Sequence, residues 1–127
     1  MAQGGPGPEV MAADTLEGDR VMNRQGEDLG DIEDIMVDVQ RGCAAYAVMS
    51  CGGVLGAGDK LFAIPWQALT LDAERKCFVL DAQKERFERA PGFDRDRWPS
   101  MADSRWADEV HAFYGVRPYW SNISPEP

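Results

Sequence analysis

The sequence predicts a mainly β protein, a small barrel of about five to six antiparallel strands carrying a C-terminal helical extension. Three observations support this. Short apolar runs alternate with turn residues roughly every ten positions, the spacing of small all-β domains. The run Ala45 to Trp66, AYAVMSCGGVLGAGDKLFAIPW, reads as a strand, a glycine-rich loop and a second strand closed by Pro65 and Trp66. From Gln83 onward the pattern changes to capped helical segments. With 127 residues, 44% of them hydrophobic and 28% charged, the chain fits one folded domain rather than a disordered polymer.

The elements follow in order. Residues 1–13 carry glycine and proline with little to bury, and read as a disordered tail. Residues 14–82 hold the barrel, 83–120 the extension packed on it, and 121–127 a flexible tail. Gly18 to Asn23 is the first strand, and Arg24-Gln25-Gly26-Glu27 the turn after it. Leu29 to Val39 is the second. Its inward residues are read as Ile32, Ile35, Val37 and Val39, and their broken parity predicts a bulge near Glu33 and Asp34. Gln40-Arg41-Gly42 turns the chain into Cys43 to Cys51, apolar on both faces and therefore central in a barrel or covered by another element.

Leu61 to Trp66 is the next strand, with Pro65 at its end because proline donates nothing to a ladder. Gln67 to Leu71 reads as helix or turn, Asp72 to Lys76 as a turn, and Cys77 to Asp81 as a strand. Asp81 then caps a short helix over Ala82 to Ala90, stopped by Pro91-Gly92. Asp103 caps a second helix ending at Tyr114, with Gly115 behind it. Trp106, Val110 and Phe113 give that helix its apolar face.

Charge narrows the function. The net charge of −9 speaks against a nucleic-acid binder, which needs clustered Lys and Arg to displace phosphate counterions. Between Asp14 and Ala82 there are 13 acidic and 6 basic residues, against 8 and 7 from Gln83 to Pro127. The acidity thus belongs to the strand-rich part, above all Glu27, Asp28, Asp31, Glu33, Asp34 and Asp38. Cys43, Cys51 and Cys77 show no metal spacing and act as small hydrophobes, so a reduced, cytoplasmic setting is expected. The sequence has neither a membrane-length apolar run nor a signal-peptide pattern.

The candidate chemistry is sparse. The acidic group DLGDIEDIMVD matches no calcium loop, and a solvated acidic face that meets a basic partner is the favoured reading over a cation site. The loop CGGVLGAGDK runs into a strand, so it lacks the helix N-terminus that binds phosphate. A hairpin loop with apolar Val54 and Leu55 at its tip is the better description. His111, the single histidine, has no nucleophile at a diagnostic spacing and reads as a packed, hydrogen-bonded residue. Trp66, Trp98, Trp106, Phe113, Tyr114, Tyr119 and Trp120 read as rings with which the extension wraps the barrel, not as a ligand cage.

Three blocks in order, NRQGEDLGDIEDIMVDVQRG, AYAVMSCGGVLGAGDKLFAIPW and ALTLDAERKCFVLDA, resemble the PRC-barrel domain, named after the H subunit of the photosynthetic reaction centre. APGFDRDRWPSMAD and HAFYGVRPYW are similar to the tails of stand-alone bacterial members, so the resemblance spans residues 16–120. It implies a small, partly open, SH3-like barrel. Better-known relatives are the cytoplasmic part of the reaction-centre H subunit, which influences electron and proton transfer to quinone, and the C-terminal domain of a ribosome-maturation factor. The sequence has neither the membrane helix of the first nor the extra N-terminal domain of the second, so neither task is carried over.

The resulting expectation is a non-catalytic protein-interaction module that self-associates as a homodimer or larger. Val54, Leu55, Tyr46 and Val48 are the expected interface, and Asp28, Asp31, Glu33 and Asp34 the acidic surface facing a basic partner. No catalytic, metal or cofactor-binding residue is expected, nor direct nucleic-acid binding or membrane insertion. The alternative is a regulatory subunit associated with a membrane electron-transfer complex. An enzyme fits least.

Overall fold

The strands join one sheet in a computed structural model, which describes residues 12–51, 60–72 and 74–122. After a single helical turn α1 (Ala13–Leu16) come β1 (Arg20–Met22), β2 (Asp28–Asp38), β3 (Cys43–Ser50), β4 (Lys60–Pro65), β5 (Leu69–Asp72), β6 (Cys77–Leu80) and β7 (Gly92–Asp94). The order across the sheet is β5-β6-β1-β2-β3-β4-β7. Mainly β architecture with a C-terminal helix is as the sequence predicts. Three details differ. Among the described residues there are seven strands, β1 and β6 run parallel, and the sheet is not closed, with short β5 and β7 at its two ends. A parallel pair needs a long crossover, which β2 to β5 supply. Short terminal strands leave little edge for unwanted pairing.

The longest pair, β2 with β3, carries the bulge expected near Glu33 and Asp34 as a register shift between Ile32 and Asp34. A second shift between Met36 and Val37 turns the end of β2 over. Here the parity reading is corrected. Val37 is 55% exposed and Val39, in the following turn, 86% exposed, so neither points inward. Gly30 lets β1, β2 and β3 approach closely. Its φ is +155°, and a Cβ there would run into the Ser50 carbonyl oxygen.

Both faces of β3 and β4 are buried, by period-two alternation. Ala47, Met49, Phe62 and Ile64 point to one core with Leu16, Val21, Leu29, Ile32, Phe78, Leu80 and Phe87. Tyr46, Val48, Leu61 and Ala63 point the other way, against Phe93, Val110 and Tyr119. The element covering this second face is α2 (Ser104–Tyr114) with the segment after it.

The α2 caps are as read. The Asp103 carboxylate accepts from the Arg105 N–H at 3.0 Å, and Gly115 sits at φ +70°. Its buried face is Ala107, Val110 and His111, rotated from the expected stripe. Trp106 lies at the flank of that face, edge-on to Tyr46 at 5.2 Å, while Phe113 lies half-exposed under the Arg86 guanidinium at 4.5 Å.

Two more expectations are corrected. Gln67 to Leu71 is a 3-10 turn over Trp66–Ala68 followed by β5, because Leu69 and Leu71 find partners in Leu80 and Phe78 of β6. The helix over Ala82 to Ala90 shrinks to a 3-10 turn over Lys84–Glu88 with no side-chain cap. Phe87 is its one buried residue, too little apolar face to hold an α-helix of that length. The extension from residue 83 also returns a strand, β7, to the sheet beside β4.

Candidate functional site

The turn between β2 and β3 is built on Asp38. One carboxylate oxygen accepts from the backbone N–H groups of Gln40 at 3.1 Å and Arg41 at 2.9 Å, closing the turn. The other accepts from the Arg41 guanidinium at 3.0 Å and from the Tyr119 hydroxyl at 2.5 Å. One side chain therefore ties the hairpin to the 3-10 turn Tyr119–Asn122, whose tyrosine lies 81 residues away. The Tyr119 hydrogen bond, then those from Arg41, hold the Asp38 carboxyl at about 2. Tyr119 is pushed up to about 12 by burial and by the same bond to Asp38, so its hydroxyl keeps the proton it donates.

Between this hairpin and α2 lies a cleft of about 650 Å³. Met36, Val37 and Val39 of the hairpin line it, together with Met101, Tyr119 and Trp120. Tyr46 is at its base, edge-on to Tyr119 at 5.8 Å. The Tyr46 hydroxyl is buried without a hydrogen-bond partner among the described residues. Burial first, then the neighbouring Tyr119 hydroxyl and the charges of Asp108 and Asp38, pushes its phenol well above the usual range, so it is a neutral ring. The Arg41 guanidinium sits 5.9 Å over the Trp120 ring.

Behind the cleft, His111 fastens the same segment. It is 1% exposed. Its Nδ1 lies 2.7 Å from the Ala107 carbonyl, and its Nε2 accepts from the Tyr119 backbone N–H at 3.2 Å. A carbonyl only accepts and an amide N–H only donates, so the ring is the neutral tautomer with hydrogen on Nδ1. The sequence reading of a packed, hydrogen-bonded histidine describes it.

The predicted interface residues divide. Val54 and Leu55 lie outside the described residues. Tyr46 and Val48 are buried under α2 and Tyr119, which corrects their reading as surface. The exposed apolar residues of the hairpin, Val37 and Val39, are ones that the sequence parity places inside. Only the second register shift reveals them, and no residue pattern announces it.

The acidic strand is in part neutralised from within. Glu33 takes a two-pronged bond from Arg95 at 2.5 and 2.9 Å, which together with a Ser50 hydrogen bond lowers its carboxyl. Asp28 lies 3.5 Å from Arg20. Asp31 and Asp34 remain exposed, without an ion-pair partner among the described residues. All three cysteines are free thiols, with Cys51 and Cys77 buried and Cys43 half-buried. Burial pushes Cys51 up to about 11, so it is an unreactive thiol.

A family model described as the PRC-barrel domain matches residues 8–87. The chain belongs to the PRC-barrel family. No curated protein matches it. In this PRC-barrel protein the matched stretch ends inside the 3-10 turn at Lys84–Glu88, so β7, α2 and Tyr119 lie beyond it. The cleft therefore joins a hairpin of the family domain to a segment outside the matched residues. Among the described residues no helix is long and apolar enough to cross a membrane.

Proposed function

We propose that this PRC-barrel protein is a non-catalytic docking module of the cytoplasm, that it binds through the β2–β3 hairpin and the adjoining cleft, and that its partner is a second copy of the same chain. One observation carries the reading. Val37 and Val39, both largely exposed, line a cleft to which Met36, Met101 and Trp120 add further apolar surface. Burying one such side chain contributes about 1.5–3 kcal/mol, and a two-fold contact uses each twice. Val54 and Leu55 join the proposal on sequence grounds alone.

Sedimentation tests it. The wild-type chain at tens of micromolar is expected to run as a dimer or larger, and Val37→Asp with Val39→Asp to run as a folded monomer. A wild-type monomer, or a variant that associates as before, contradicts the reading. The corresponding pair of changes at Val54 and Leu55 tests that loop separately. Two rivals predict other results. A basic partner recruited by Asp31 and Asp34 is lost at high salt, and a regulatory subunit of a membrane electron-transfer complex sediments with membranes from native extracts.

A further inference from the structure

The cleft holds a hydrogen-bond donor with nothing to donate to. Tyr46 lines it and is 1% exposed, and the Tyr46 hydroxyl has no partner among the described residues. Buried hydroxyls are as a rule paired, because a bare one forfeits the hydrogen bonds it makes in water. The ring cannot swing round to find a partner. Trp106, His111 and Tyr119 pack about it at 5.2, 5.6 and 5.8 Å. The Tyr114 hydroxyl is likewise unpartnered, but it does not line this cleft. We infer that the cleft is a binding site for a small, neutral, mainly apolar molecule, one carbonyl-type oxygen of which accepts from the Tyr46 hydroxyl. The inference goes beyond the docking proposed above and does not rest on it.

The ligand's chemistry follows from which groups have bonding capacity left. Asp38 has none, since each of its oxygens already accepts two hydrogen bonds. An amine therefore finds no carboxylate free to receive it. The Arg41 guanidinium is turned to Asp38 at 3.0 Å, so a carboxylate would meet a cation whose charge is already matched. Burial first, and then the charges of Asp108 and Asp38, keep the Tyr46 hydroxyl protonated, and those charges disfavour an anion beside it. What remains is a donor awaiting a neutral acceptor, with Met36, Val37, Met101 and Trp120 supplying apolar surface for the rest of the molecule. A cleft of about 650 Å³ lies within the range of roughly 300–1,000 Å³ typical of small-molecule sites. Met36 is the cross-strand partner of Tyr46, and with Met101 it packs against the cluster that holds that ring. Both methionines are unbranched and half-buried, so they can shift to admit a ligand to the hydroxyl without moving the backbone.

Titration of the full chain, at a dilution where it is monomeric and followed through the Trp120 indole N–H resonance, tests the site. The probes share one shape: acetylnaphthalene, ethylnaphthalene and naphthoate. The ketone should bind about tenfold more tightly than the hydrocarbon, the factor that one hydrogen bond of ordinary strength supplies. Naphthoate should bind more weakly than the ketone. Tyr46→Phe should be as stable as the wild type, since the hydroxyl it deletes bonds nothing in the chain, and should bind ketone and hydrocarbon alike. A ketone that does not bind, that binds no better than the hydrocarbon, or that binds Tyr46→Phe as well as the wild type overturns the inference. So does tighter binding of naphthoate. If Tyr46→Phe does not fold, the comparison of ketone with hydrocarbon in the wild type still decides. A chain that takes the ketone yet never self-associates keeps this site and loses the docking reading.

Discussion

Asp38 shapes the hairpin turn and holds the Tyr119 hydroxyl with one carboxylate, so its removal separates two effects. Because its folded-state affinity for protons is depressed, the stabilisation it gives is complete above the ordinary carboxylate value of about 4 and is lost as the pH falls towards about 2. Asp38→Asn should weaken the hold on Tyr119 at neutral pH and abolish that acid-dependent component, measured as unfolding midpoints across the acid range. A wild-type acid transition that survives in the variant would contradict the assignment. Gly30→Ala is a second test at this scale. The methyl meets the Ser50 carbonyl at a backbone angle unsuited to alanine, and should cost about 2 kcal/mol or more in denaturant unfolding. Neither residue was singled out by the sequence for this role. Asp38 looked like one more member of an acidic strand, because its partner Tyr119 is far away in the chain.

Among the elements, β3 explains most of what could and could not be read. Its two apolar faces announced that something covers it, and the caps at Asp103 and Gly115 announced the helix that does. The bulge near Glu33 was legible from broken parity, since a one-residue slip leaves a mark in any strand with a buried face. β5 and β7 were not legible, because strands of four and three residues take their form from their partners, not from their own pattern. Removing everything after Ser100 tests the covering role. Tyr46, Val48, Leu61 and Ala63 would then face water, and the truncated chain should bind a hydrophobic dye and lose its sharp unfolding transition. A truncated chain that unfolds as sharply as the whole would mean that α2 is a passenger.

For the whole molecule, the balance lies between an apolar hairpin and a charge of −9. The buried alternation of β3 and β4 is satisfied within one chain, so a strand apolar on both faces does not by itself call for a second copy. The exposed valines beside the cleft now carry that argument. Two copies with the same excess of carboxylates repel each other, and salt screens that repulsion while leaving apolar contact intact. The most direct measurement is therefore sedimentation equilibrium of the wild-type chain across a salt series. Dimer affinity should rise with ionic strength as the screening length shrinks from about 10 Å at 0.1 M towards about 3 Å at 1 M. A chain that stays monomeric throughout, or associates only at low salt, would contradict docking through the hairpin.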